Sequence, residues 1–169
     1  LVSSLVATVA YGFASSVNLP EEEIAWKRIA RWAFIVDVFS VVVIFGLIFW
    51  IISQHYFEYF YVWNHSDRSL DSKYLLSSIW EGQEGSFLLW SFWQGVLGIF
   101  LMRKAGSWEA PVMSVISFAQ VCLATFILGI YVFGSKVGSN PFILTRHSFQ
   151  DLPVFQRADY LSLPRFQDG

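Results

Sequence analysis

The segment Trp80-Glu81-Gly82-Gln83-Glu84-Gly85-Ser86-Phe87-Leu88-Leu89-Trp90 sets two carboxylates, a carboxamide and two glycines at the start of an apolar run. Carboxylates at a membrane boundary hold a cation, accept hydrogen bonds from a partner segment, or face water; unpaired and unsolvated, they are costly there. A continuous helix through this stretch places Ser77, Trp80, Glu84 and Phe87 on one face, and Glu81, Gly85 and Leu88 on another. Gly82 and Gly85 let a second backbone approach closely. The plainer role for Glu81 and Glu84 is to decorate a solvated helix N-terminus, where acids suit the dipole.

Other groups able to do chemistry are few. His55, His65 and His147 are potential metal ligands, but no two have metal-site spacing, and each also reads as an ordinary polar residue of the outer surface. No metal centre is expected. Cys122 is alone, so it forms no intrachain disulfide and reads as a packing residue. Asp37 lies about five residues inside an apolar run, near the inner interface or turned into a bundle, and an intramembrane carboxylate is a functional candidate. There is no phosphate loop, no nucleophile–base motif and no internal repeat.

The elements that must position these groups follow from composition. Hydrophobic residues are 55% of the 169, aromatics 19% and charged residues 14%, where a soluble domain carries about a quarter charged. A net charge of −2 leaves no footprint for nucleic acid. The apolar residues fall in four runs, 1–17, 32–52, 85–102 and 112–133, and a bilayer crossing needs roughly 20 such residues as helix. The first run is read as a shortened span; the alternative, a signal peptide, lacks the basic leading segment. The expectation is therefore an all-α, polytopic membrane helical bundle with about four transmembrane helices, an outer loop 53–84 and an extramembrane tail 134–169. Lys27, Arg28 and Arg31 in loop 18–31, with Arg103 and Lys104 in loop 103–110, place those loops inside. Trp26, Trp32 and Trp50 suit an aromatic belt.

The outer loop opens on an aromatic run that includes Phe57, Tyr59, Phe60 and Tyr61. Two readings stay open: an interfacial extension of the second helix, or a stacking platform for a flat apolar ligand. Asn64-His65-Ser66-Asp67-Arg68 reads as a turn, and helix is expected again from about Ser72.

These motifs, taken together, resemble the CcmF-type proteins of cytochrome c maturation, the membrane heme lyase family. The family pattern Trp-Gly-x-His-Glu-Gly-Ser-Leu-Leu-Leu-Trp is met here by Trp80, Glu84, Gly85, Ser86, Leu88, Leu89 and Trp90. Tyr61-Val62-Trp63-Asn64-His65-Ser66 and Tyr74 are similar to the approach to that pattern. Gly138-Ser139-Asn140-Pro141-Phe142 is similar to the Ser-Asn-Pro-Phe that closes the next span, and Phe166-Gln167-Asp168-Gly169 to the end of the tail before the family's first His-Pro-Pro. Gln83 stands where the family has histidine, with Glu81 near it in place of glycine.

The resemblance implies the N-terminal portion of a longer protein of the bacterial cytoplasmic membrane. That protein would support covalent, stereospecific thioether attachment of heme to apocytochrome c on the outer side. It also implies heme, a heme chaperone, apocytochrome c, other maturation proteins and the lipid bilayer as partners. The family's heme-ligating histidines have no counterpart in this chain, so the portion alone is not expected to catalyse. The site candidates are Trp80, Glu81, Gln83, Glu84, Gly85 and Trp90, followed by His65, Asn140 and Pro141. Two other classes stay open: a transporter of a hydrophobic or anionic solute past Glu81, Glu84 and Asp37, and a structural membrane anchor.

Overall fold

Long uncharged runs become long helices, because in hydrocarbon each backbone N–H must find its acceptor within its own segment. A computed structural model describes residues 1–66, 74, 77–132, 134–149 and 159. Its helices are α1 (Val2–Ser16), α2 (Pro20–Ser53), α3 (Phe60–His65), α4 (Gln83–Lys104), α5 (Glu109–Leu128) and α6 (Thr145–Ser148). A 3₁₀ turn, Gly106–Trp108, leads into α5, and strands β1 (Ile130–Val132) and β2 (Ser135–Val137) follow it. This is an all-α membrane helical bundle: α2, α4 and the Gly106–Leu128 stretch are each long and apolar enough to cross a bilayer. The 15-residue α1 is shorter, about 22 Å at 1.5 Å per residue against a hydrocarbon layer of roughly 30 Å.

The element bounds differ from the sequence reading at both ends of the apolar runs. Helix α2 begins at Pro20, so most of the expected inner loop 18–31 is helical. Pro20 suits a first turn because its missing N–H has no partner there anyway, and Glu21, Glu22 and Glu23 favour the positive helix end. Lys27, Arg28 and Arg31 thus lie within α2 itself, not in a loop. At the other end of the chain, Gly129 takes a left-handed conformation (φ 67°) and stops α5 at Leu128. Residues 130–132, expected within the last span, instead form a hairpin strand pairing Ile130 with Val137.

Contacts fix the arrangement. Helix α1 runs back along α2, from Ser3, whose hydroxyl donates to Asp37 (3.0 Å), to Phe13, stacked on Trp26 at 5.1 Å. Its buried Ala7, Ala10 and Ala14 let it sit close between α2 and α5. Helix α4 runs antiparallel to α2: Leu88 packs with Ile48 near one end, Gly95 receives Val38 and Gly98 receives Phe34 near the other. Polar side chains join α4 to α5, Gln120 Nε2 donating to the Ser91 carbonyl (2.9 Å) and Gln94 Nε2 to the Ile116 carbonyl (3.1 Å). Two cores result. One gathers Tyr11, Phe34, Val38 and Met113; the other gathers Ile48, Ile52, Phe57, Tyr61, Ile79 and Leu88. Large apolar side chains such as Phe39, Trp93, Phe100 and Phe118 face outward, as a lipid-facing surface requires.

Candidate functional site

The second core is capped by the aromatic segment after α2. That helix ends at Ser53, and His55 adopts φ 53°, turning the chain so that Phe57 drops into the core. The aromatic run is therefore no extension of α2. Its later part is a separate short helix, α3, which buries Tyr61 and Val62.

Tyr61 holds this end together. Its hydroxyl donates to the Ile79 carbonyl in the turn before α4. One turn later on α3, His65 Nδ1 donates to the Tyr61 carbonyl (3.0 Å), and the two rings lie 4.5 Å apart at 30°. A carbonyl only accepts, so Nδ1 carries the proton. The other ring nitrogen faces Gly82: a Cβ added there would lie 2.9 Å from His65 Nε2 and 2.8 Å from Tyr61 Cε2. A Cβ on Gly85 would overlap the Ile79 carbonyl and crowd the Tyr61 hydroxyl. Both glycines of the Trp80–Trp90 motif thus allow a close approach, by the Tyr61–His65 pair and by the motif's own preceding turn.

That turn corrects the expected helix face. The chain is helical at 77–78, turns through 79–81, and starts α4 at Gln83 with Gly82 as its N-cap. Ser77, Trp80, Glu84 and Phe87 do not share one continuous helix. The break is held by the Ser86 hydroxyl, which donates to the Trp80 carbonyl (2.9 Å). Trp80, Glu81 and Gln83 are exposed, Gly85 is buried, and Glu84 is half-buried in the first turn of α4. Burial pushes the Tyr61 phenol well above its usual range; the nearby Glu84 and Glu81 carboxylates push it further, while the Gly82 and Gly85 N–H groups oppose them.

The segment after the hairpin clamps the aromatic segment from a third direction. Gly138, at φ 78°, packs against the Phe126 carbonyl, and the Ser139 N–H donates to that oxygen (3.1 Å). Asn140 Oδ1 accepts from the Phe142 N–H (2.9 Å), an Asx turn around the buried Pro141. The Phe142 ring then meets Tyr59 edge-on at 6.3 Å. Main-chain bonds from Phe60 N to Ile143 O and from Thr145 N to Glu58 O, both 2.8 Å, flank a Tyr59–Leu144 bridge. The buried Thr145 hydroxyl donates to the Phe57 carbonyl (3.0 Å). Gly82, Gly85, His65, Asn140 and Pro141 are thereby joined around residues 57–65. Trp90 is not: it is exposed, beside Phe87, and lines an outer groove of about 560 Å³ with Trp93, Phe118 and Cys122.

The described residues do not fit an axial ligand set for heme. His65 is fixed by Tyr61 and covered by Gly82, His55 Nε2 is buried without a hydrogen-bond partner, and His147 is exposed on α6. No group of three His, Cys, Asp or Glu among the described residues is placed to hold a metal ion. The expected tail residues 150–158 and 160–169, including Phe166 to Gly169, lie outside the described residues, as do Asp67, Arg68 and Ser72.

Asp37 is turned into the bundle: it is buried and accepts from the Ser3 hydroxyl of α1. It borders a cavity of about 360 Å³ lined also by Ser40, Ser91 and Gln120, between the two cores. A further polar contact escaped the sequence reading. Arg31 Nε and Nη2 donate to the two carboxylate oxygens of the buried Glu109, both at 2.6 Å, tying α2 to the start of α5. The available signal was that each residue opens an apolar run at the same expected boundary; their pairing required the packing of α2 on α5.

The chain matches no family model, no curated protein and no solved structure.

Proposed function

We propose that the chain is the N-terminal part of a cytochrome c heme lyase component, supporting covalent attachment of heme to apocytochrome c outside the bacterial cytoplasmic membrane. One observation carries the reading. The three segments of the family resemblance, Tyr61–Ser66, Trp80–Trp90 and Gly138–Phe142, are far apart in sequence, yet Tyr61, Gly82, Gly85 and Phe142 meet around one short aromatic helix. On this reading, loop 53–84 and the hairpin face outward, and Lys27, Arg28, Arg103 and Lys104 face the cytoplasm. Heme, a heme chaperone, apocytochrome c and other maturation proteins would be met on the outer face. This chain's own contribution is positioning: it holds a rigid aromatic cap at the membrane surface, with the Glu84 carboxylate beside it. Attachment would add a cysteine thiol of the apocytochrome across a vinyl group of heme, the S–H bond breaking as C–S and C–H bonds form.

The test is Glu84. Among the described residues it has no ion-pair partner, so a carboxylate at that depth is expected to meet a cation or donor of a partner segment. Glu84→Gln keeps the shape, and Glu84→Ala also removes the acceptors. Both are expected to lower holocytochrome c yield in cells, the alanine change more, with the protein at normal level by immunoblot. Maturation at the wild-type rate in both variants would leave Glu84 a solvated helix-end acid and remove this reading of the site.

A further inference from the structure

On α2, the residues Ile24, Lys27, Arg28, Arg31, Trp32 and Ile35 line a surface depression of about 360 Å³. Their spacing of three, four, seven, eight and eleven residues makes one helical stripe. From Arg31 to Ile52 the helix is about 31 Å long, the thickness of a hydrocarbon layer. With Trp50 and Ile52 at one boundary, Arg31 and Trp32 therefore sit at the other, and Lys27 and Arg28 lie one turn out, among headgroups. Trp32 is 65% exposed and Ile35 42%, with the exposed Val36 and Phe39 continuing toward the bilayer centre.

The charges are partly compensated. Lys27 pairs with Glu23 (2.6 Å) and Arg31 with Glu109, while Arg28 has no ion-pair partner among the described residues. Arg28 is therefore the unpaired cation of the stripe, which with Glu21 counted is neutral as a whole. Donors remain as well: the Arg31 side chain is 48% exposed and uses only part of its five-donor fork on Glu109. Glu21, exposed on the same stripe one turn beyond Ile24, makes the outer limit acidic. Such a site favours one phosphodiester charge at the depth of Arg28 and disfavours a headgroup carrying more negative charge further out.

We infer that this stripe binds the phosphodiester of an anionic phospholipid, Arg28 and Arg31 taking the phosphate oxygens while Trp32 and Ile35 pack on the glycerol and upper acyl chain. The inference rests on depth and charge and is independent of the heme lyase reading.

The test is native mass spectrometry of the full chain in neutral detergent, titrated with phosphatidylglycerol and with phosphatidylcholine. Phosphatidylglycerol is expected to be retained preferentially, and Arg28→Gln to weaken it about fivefold. Arg28 is exposed and makes no described hydrogen bond, so the variant keeps its helix content by circular dichroism. Arg103→Gln, an exposed cation outside the stripe, is expected to change nothing. Equal retention of both lipids, an unchanged Arg28→Gln, or an equal loss in Arg103→Gln would overturn the site in favour of diffuse attraction. Displacement of the lipid by millimolar inorganic phosphate would overturn the lipid as its ligand.

Discussion

The Tyr61 hydroxyl donates to the Ile79 carbonyl, and this contact joins α3 to the turn from which α4 starts. The carbonyl belongs to a turn and has no helical partner of its own there. The same oxygen lies where a side chain on Gly85 would have to go. Hydrogen bond and glycine are thus two requirements of one geometry.

Gly85→Ala is expected to dismantle this junction, because a Cβ there overlaps main chain that cannot move independently. The cost is expected on the order of 3 kcal/mol, that of severe overpacking. Gly46→Ala, a helical glycine with nothing within 4 Å of the added Cβ, is the control and is expected to be neutral or slightly stabilising. Thermal unfolding in detergent compares them; equal midpoints would remove the junction's structural role.

Tyr61 predicts an alkaline limit. Its phenol in the fold ionises above the ordinary value of 10.0, so above pH 10 the unfolded chain releases a proton that the folded chain keeps. Stability from this group is then complete below pH 10 and falls as pH rises toward the folded value. Absorbance at 295 nm is expected to show tyrosine ionisation continuing above the ordinary range, and Tyr61→Phe to lower that late amplitude and flatten the decline. An unchanged titration in Tyr61→Phe would place the late step elsewhere.

The Arg31–Glu109 pair is expected to show strong coupling. Removing either partner leaves a buried carboxylate uncompensated or a cation unmatched, costing on the order of 3 kcal/mol, reduced by solvent reaching Arg31. Replacing both by Met should cost less than the two single changes summed. Additivity in a double-mutant cycle would show that the pair does not act as a unit.

Orientation is tested by single cysteines at Ser69 and Ser107 in a Cys122→Ala background. Ser107 is exposed in the 3₁₀ turn after α4, and Ser69 lies outside the described residues. An impermeant thiol reagent on intact cells is expected to label Ser69→Cys only. Labelling of Ser107→Cys alone would invert the topology.

Length and apolarity made the helices legible, because a run without charge has few alternatives in lipid. Their ends were less so. The charged first turns of α2 carry no hydropathy signal, although Pro20 followed by three acids is a helix start in any solvent. The break at 79–82 was hidden because Gly82 and Gly85 fit both a close helix contact and a cap. The aromatic run was ambiguous for a different reason. Neither helical nor alternating spacing describes it, since Phe57 and Tyr61 face a core built partly from Ile79 and Leu88, residues of another segment. The candidate residues come from a motif, but their meeting with Asn140 and Pro141 depends on the hairpin, whose strands are only three residues each.

The left-handed turn at Gly129 gives the length of α5 a second meaning. The described residues between Ile130 and Thr145 leave the bundle at the azimuth where α5 stops, and the Ser139 N–H is returned to the Phe126 carbonyl just before that stop. One residue inserted within the last turns of α5 would rotate this departure by about 100° about the helix axis, carrying Pro141 and Phe142 away from Tyr59 while leaving the span apolar. The helix thus works as an angular gauge. Its residue count, more than its composition, aims the clamp at the aromatic cap.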